Sequence, residues 1–427
     1  MARKKTLPLI EDFDNIPAEA LVPKDEQPYE IPEHWKWVRI GCAVKATTEK
    51  TEDFSARPPY VGLENLIPGG GIGNTASSEE IRSTKTVFSA GQILYGKLRP
   101  YLDKHAVADF DGVCSTDILA YIPSPEVNAH YFDFWLSTNI FRNAAVSHSK
   151  GINLPRISET AIGNFPFPLP PLDEQQRIVD YLDTNLAKID EVIAKLEDHL
   201  AQAEERKATL IQAAVSGHLT ADWRAEHGIS LTSWQPRTID ELGTVVTGNT
   251  PSTKRAEFYG SDIPFIKPAD LNEGRNVVSA ESYLSMVGAE HARMLPPYTV
   301  AVCCIGATIS KSGLIVVESA TNQQINSIIP NSEISPIYLY YLCASPAFRQ
   351  IVIRSSSSTT LPILNKGRFS KLEVTVPSLE EQQEIARILD DKLDRFSEAD
   401  SRIQAALDLL NLTTKKIVSA ALTGQLV

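Results

Sequence analysis

Two short stretches gather side chains of the kind that hold a polyanion. GKLRPYLDKH at 96–105 carries Lys97, Arg99, Tyr101 and Lys104, and SKGINLPRIS at 149–158 carries Lys150, Asn153 and Arg156. Further along the chain, TPSTKRAEFYG supplies Lys254 and Arg255, and GATISKSG supplies Lys311. Arg354, Lys366 and Arg368 follow. Lysine and arginine donate charge-assisted hydrogen bonds to phosphate oxygens, and a nearby amide or phenol can contact a base edge. Alone, clusters this small are ordinary solvated surface.

Tools for catalysis are missing. RPPY at 57–60 and LPPY at 295–298 resemble the Asn/Asp-Pro-Pro-Tyr motif of amino-methyltransferases, but Arg57 and Leu295 cannot accept a hydrogen bond from a target amine. Both read as turns. PGGGIGN at 68–74 lacks a strand before it and a helix after it, so it reads as a flexible loop rather than a nucleotide cradle. The eight histidines show no metal-ligand spacing. His105 and Asp117 lie near each other without a serine nucleophile motif, and no P-loop occurs. The five cysteines (Cys42, Cys114, Cys303, Cys304, Cys343) lack a CxxC pair and read as reduced, buried thiols of a cytoplasmic protein.

What must position the basic stretches is a duplicated frame. LDEQQRIVDYL at 172–182 recurs as LEEQQEIARIL at 379–389, an offset of 207 residues. The same offset maps Gly217 onto Gly424, Pro170 onto Pro377, Leu154-Pro155 onto Leu361-Pro362, Phe141-Arg142 onto Phe348-Arg349 and Tyr131 onto Tyr338. Further upstream the register fades. Each copy ends in a long amphipathic pattern with a and d spacing. The first runs Leu182, Leu186, Ile189, Ile193, Leu196, Leu200, with Lys207 interrupting further on. The second runs Leu389, Leu393, Phe396, Ile403, Leu407, Leu410, with Asp400 and Thr414 interrupting. Asp173 with Gln176, and Ser378 with Glu381, signal the starts, the latter as a capping box. Gly217 and Gly424 signal the stops. Two helices of about 40 residues, roughly 60 Å each, are expected to pair antiparallel as rods.

The expected fold class is α+β. Two mixed α/β heads are separated by two long helices forming an antiparallel coiled coil, in a pseudo-twofold tandem repeat. The segments are an N-terminal arm (1–35), a first head (36–171), a first rod (172–219), a connector (220–233), a second head (234–377) and a second rod (378–427). Within the heads, GQILYGKL, DILAYIP, TVAVCCIG and GLIVVES read as strands. YFDFWLSTNIFRNAAV and PIYLYYLCASPAFRQIVI each read as one helical stretch. The net charge of −12 divides unevenly. The arm carries −4, residues 172–233 carry −6 and residues 378–427 carry −3, whereas the heads carry zero and +1. Acidity on the rods and neutral heads with local basic patches leave polyanion binding open for the heads.

The LxEQQxI helix starts, the GKLRPYL and LPRIS phrases and the head–helix–head–helix order resemble the specificity subunit of type I restriction-modification systems. The resemblance covers nearly all of the chain beyond its first 30 or so residues. It implies that each head is a target recognition domain for half of a bipartite double-stranded DNA site. It also implies that the rods set the spacing and dock two modification (methyltransferase) subunits. No catalysis and no cofactor would belong to this chain. S-adenosylmethionine would come with the methyltransferase, and ATP with Mg²⁺ with the restriction (translocase and nuclease) subunits. The candidate DNA contacts are then the thirteen residues named at the outset, though CCIGATISKSG stands in place of GKLRPYLDKH in the second head. The alternative is a coiled-coil protein–protein adaptor that binds no DNA; a self-sufficient methyltransferase is disfavoured by the missing motifs.

Overall fold

The computed structural model describes residues 8–79, 81–357 and 361–425. Its contacts divide the chain into two units, Met1–Leu196 with Ala405–Val427, and Glu197–Gln404. Each unit holds one head, the start of one rod and the end of the other.

In the first unit an antiparallel sheet runs in the order Val44–Ala46, Ile118–Pro123, Ile93–Gly96, His105–Val107. A five-stranded sheet lies beside it in the chain, built on Lys85–Phe88, Gly112–Cys114 and Pro59–Val61, with the last two parallel. Lys36–Arg39 pairs antiparallel with Pro166–Leu169, the strand that leads into the first rod. The second unit repeats the first sheet as Gly243–Thr247, Ile325–Pro330, Thr299–Cys303 and Ser312–Ile315, and the entry pair as Gln235–Thr238 with Glu373–Val376. The four segments read as strands each overlap one of these strands. The upstream register does not vanish. It changes step: Gln235, Ile239 and Gly243 each follow their counterparts Lys36, Ile40 and Val44 by 199 residues rather than 207.

The two helical stretches are each broken in two. Ala129–Leu136 ends before Thr138, whose hydroxyl caps Phe141 N–H and opens Asn139–Ser147. Ser345, at the matching place, ends Pro336–Ala344 and caps Phe348 N–H in Pro346–Ser355. A hydroxyl acceptor satisfying the orphan donors of a new helix, followed in the second copy by proline at its first position, explains both breaks.

The second rod is one helix, Leu379–Leu422, of 44 residues, or about 66 Å at 1.5 Å per residue. The first departs from the expected single helix over 172–219. It is Leu172–Ala201 followed by Ala203–Val215, with a break at Gln202. There the Arg206 guanidinium donates to the carbonyl of His199 and to Asp400. All twelve seam positions are buried or half-buried among exposed neighbours: Leu182, Leu186, Ile189, Ile193, Leu196 and Leu200, and Leu389, Leu393, Phe396, Ile403, Leu407 and Leu410. Within the first unit Leu182 and Leu186 share a core with Ile417, Val418, Ala421 and Leu422. Within the second, Leu210, Ile211 and Ala214 share one with Ile385, Leu389 and Leu393. In both, the start of one rod meets the end of the other, so the helices pair antiparallel. Two interruptions of the pattern meet as well, Lys207 standing 4.0 Å from Asp400. Both rods stop at a left-handed glycine, Gly217 (φ +80°) and Gly424 (φ +73°). His218 and Gln425 N–H close back on Ala213 and Ala420, the Schellman pattern.

The repeated EQQ phrase fastens each rod to its head. Gln175 is wholly buried. Its amide donates to the carbonyls of Glu126 and Pro170, and its oxygen accepts from Asn128 N–H. Gln382 does the same with Glu333, Pro377 and Ser335, each 207 residues on. The preceding acids are buried too. Glu174 faces His34 at 2.8 Å. Glu381 takes hydrogen bonds from Thr220, Arg224 and Trp234. Its carboxylate is thus committed to the connector and does not reach back to close the expected capping box, although Ser378 Oγ accepts from Glu381 N–H. The arm behaves like the connector. Ile10, Ala20 and Val22 lie in the first unit's core, and Trp35 lies beside Gly424 as Trp234 lies beside Gly217. Among the described residues no helix is long and apolar enough to cross a membrane.

Replacing Gln175 or Gln382 by Ala strands one backbone N–H and two carbonyls in the interior. Each group left without a partner costs about 1–3 kcal/mol, so a clear drop in the urea midpoint is expected. The exposed neighbour Gln383, replaced by Ala, should change stability by less than about 0.5 kcal/mol.

Candidate nucleic-acid interface

The two basic stretches of the first head come together. Arg99 N–H donates to Pro155 O (2.7 Å), Ile157 N–H to Lys97 O (3.1 Å), and Lys150 and Arg156 exchange two backbone hydrogen bonds of 2.9 Å. These bonds set Lys97, Lys150 and Arg156 around an open concavity of about 650 Å³, with Leu119, Leu154 and Glu159 on its walls. Arg156 is held at 2.7 Å by Asp117. Burial, only partly offset by Asp117, lowers the Lys97 ammonium below the usual lysine range. A half-buried cation with lowered affinity for its proton gains from an approaching anion, since an opposite charge restores the charged form. Arg99 (φ +53°) and Asp103 (φ +54°) are left-handed and bracket the turn Pro100–Leu102, which leaves Tyr101 exposed. Asn153 is exposed in the 150–156 loop.

Lys104 is different. Its ammonium donates to Leu63 O and is part-buried, a structural contact rather than a free charge. Lys311 is its counterpart, with the bond from Cys303 N–H to Lys311 O repeating that from Gly96 N–H to Lys104 O.

In the second head the same backbone carries other side chains. Gly306 N–H donates to Pro362 O, Leu364 N–H to Cys304 O and Ser357 N–H to Ile363 O. Lys97, Lys150 and Arg156 are therefore matched by Cys304, Ser357 and Ile363. Arg354, Lys366 and Arg368 are exposed but do not occupy those places. Lys366 and Arg368 lie on the short helix Lys366–Ser370, opposite Glu159 and Ala161 in register. Lys254 and Arg255 stand in a separate loop, where the Arg255 guanidinium lies 5.3 Å from the centre of the Phe258 ring. Among the described residues no hydrogen bond joins that loop to Lys366 or Arg368.

Sequence reasoning missed a second cluster in the first unit. The triglycine loop is not free. Gly69 and Gly71 N–H donate to Asp103 O and His105 O, and all three glycines have positive φ. Beneath it His105 is buried and donates from Nδ1 to Asp133 Oδ1 (2.7 Å), not to Asp117. Asp103 lies 3.8 Å from its Nε2 and pairs with Arg142 at 2.7 Å. The cluster borders a cavity of about 280 Å³ that also touches Leu186, Thr414 and Lys415 of the rods. The glycine run at 69–71 was the one available signal. All five cysteines are buried and free, and burial pushes the Cys304 thiol up to about 12. Among the described residues no cluster of His, Cys, Asp and Glu could hold a metal ion.

A family profile described as type I restriction modification DNA specificity domain matches residues 35–202 and again 232–408. The chain belongs to that family. The two matched segments are the two head-and-rod copies. The HindI specificity subunit of Haemophilus influenzae is 27% identical over 421 residues, covering 81% of this chain and 90% of that protein. The EcoDI specificity subunit of Escherichia coli is 30% identical over 203 residues, 46% of this chain; the chain spans only 45% of that relative. Among solved structures, the HsdS subunit from Thermoanaerobacter tengcongensis aligns with a TM-score of 0.64 at 20% identity, covering 94% of this chain and 99% of the other. A chain from work on assembly and conformational transition of the type I R-M system aligns with a TM-score of 0.74 at 19% identity, covering 93% and 100%. At these identities the structures speak for the fold of the specificity family, α+β heads with long helices.

For His105, burial opposes the charge but Asp133 and Asp103 outweigh it, and its affinity for a proton is held above the ordinary value. Linkage then gives stability that is fully present below about pH 6.5, the unfolded value, and is lost as pH rises through the folded one. Thermal melts should show the wild-type advantage over His105→Gln shrinking as pH rises above about 6.5.

Proposed function

We propose that this chain is the DNA-specificity subunit of a type I restriction-modification complex, each head recognising one half of a bipartite double-stranded target. The observation that carries this reading is the pair of frames with unlike contents. Three matching backbone hydrogen bonds present Lys97, Lys150 and Arg156 in one head and Cys304, Ser357 and Ile363 in the other. A repeated scaffold with exchanged side chains is what reading two different sequences requires, because phosphate contacts position a protein and base contacts specify. Basic groups of the heads hold phosphates, and polar side chains beside them meet base edges in the major groove. The paired rods fix the number of bases between the two halves, as dimer geometry fixes half-site spacing elsewhere. Their acidic surface repels DNA and receives protein partners.

Catalysis belongs to those partners. Two methyltransferase subunits bring S-adenosylmethionine and extrude the target base. Restriction subunits bring ATP and Mg²⁺. This chain supplies recognition and assembly, and it works in the cytoplasm.

Exchanging residues 36–171 for the first head of another family member should change one half of the methylated sequence and leave the other intact, read by methylome sequencing. A change in both halves would refute the division of labour. Deleting one heptad from each rod should shorten the unspecified stretch or abolish assembly. Full activity with an unaltered stretch would show that the rods do not set the distance.

A further inference from the structure

The loop closed by Lys150 and Arg156 points an apolar side chain into solvent. Ile152 is 100% exposed and Leu154 is 55% exposed. Yet the loop is built rather than slack. Both hydrogen bonds between Lys150 and Arg156 are made, Arg99 N–H holds Pro155 O, and Gly151 takes the φ of +110° that turns the chain. An isoleucine displayed on a stiff loop loses the stabilisation that burial would bring. The conformational cost of ordering the loop backbone is already met in the fold, so a surface that covered the side chain would gain most of that burial.

The groups around the loop specify that surface. Lys97 and Lys150 have no ion pair among the described residues, while Asp117 is committed to Arg156. The complement must offer anions at the rim and an apolar group between them. The major groove of DNA offers both, with phosphates along its edges and the thymine C5 methyl on its floor. We propose that Ile152 contacts a thymine methyl in the major groove of the half-site bound by the first head, while Lys97 and Lys150 hold the flanking phosphates. This rests on the DNA-recognition reading above and adds a named base and a named side chain to it. Cys304 and Ser357 stand where Lys97 and Lys150 do, so these two cations have no counterpart at the matching positions of the second head.

The test uses the assembled complex of this chain with its methyltransferase subunits and duplexes carrying the mapped target. Each thymine of the first half-site is replaced in turn by deoxyuridine, which removes one methyl. Wild type should prefer thymine at one position by about 4-fold, the value of one buried methyl-sized group. Ile152→Ala should bind thymine DNA more weakly and lose the preference, with recognition of the second half-site unchanged. Lys150→Ala should weaken both duplexes equally. The proposal is overturned if no thymine position discriminates, if the half-site contains no thymine on either strand, or if the preference survives in Ile152→Ala. It is also overturned if Ile152→Ala acts by weakening assembly with the methyltransferase in the absence of DNA. Specific binding without any methyl effect leaves the function standing and removes only the role of Ile152; no specific binding at all removes both.

Discussion

One buried carboxamide in each unit holds the end of a strand, the start of a helix and the first turn of a rod together. The amides of Gln175 and Gln382 are planar, with donors and acceptor fixed in direction. Each satisfies two carbonyls and one N–H drawn from two separate segments, the strand end and the residues that open a helix. An arrangement that misplaced any of the three would leave polar groups buried without partners. The rods are therefore not tethered loosely to the heads. Their first turns are interior parts of the head folds, and Ile178 and Ile385 continue directly into the cores.

The residue before each glutamine shows how a common device is adapted. Glu174 and Glu381 are both buried, but the first turns to a histidine of the arm and the second to an arginine and a threonine of the connector and to Trp234, which opens the second head. Arm and connector thus perform the same task in their units, closing the head over the end of a rod. A buried carboxylate demands charge-assisted hydrogen bonds, and each unit recruits them from whichever segment enters it. Polar residues in the seam follow similar logic. Asp400 breaks the apolar pattern, but it does so opposite Arg206 and Lys207. Such a pair favours one register over its neighbours, since a slip would separate the charges.

The heads divide their residues between frame and content. Backbone hydrogen bonds around 97–99 and 150–157 recur at 304–306 and 357–364, while the side chains they display have changed in charge and size. Lys104, whose ammonium donates to Leu63 O, belongs to the frame, although by type it looks like a contact. Lys97 belongs to the content, and its partial burial among cations and carboxylates leaves it receptive to an anion.

The duplication, the seam positions, the glycine stops and the division of charge were legible in the chain alone, because each depends on local spacing or on a count. The strands were legible too, though the helical stretches hid their breaks at Thr138 and Ser345, where a capping hydroxyl overrides an apolar run. The break at Gln202 was not legible, nor was the reach of Arg206 beside it to Asp400 on the other rod, a residue 194 positions away. Nor was the purpose of the EQQ phrase, which reads as a helix start but acts through carbonyls nearly 50 residues upstream. The meeting of Lys97 with Lys150 and Arg156, and the turning of His105 to Asp133 instead of Asp117, were likewise decided only by the folded chain. Spacing along a sequence fixes which residues share a face; which faces meet depends on burial and on satisfying every polar group at once, and that is settled by the tertiary structure as a whole.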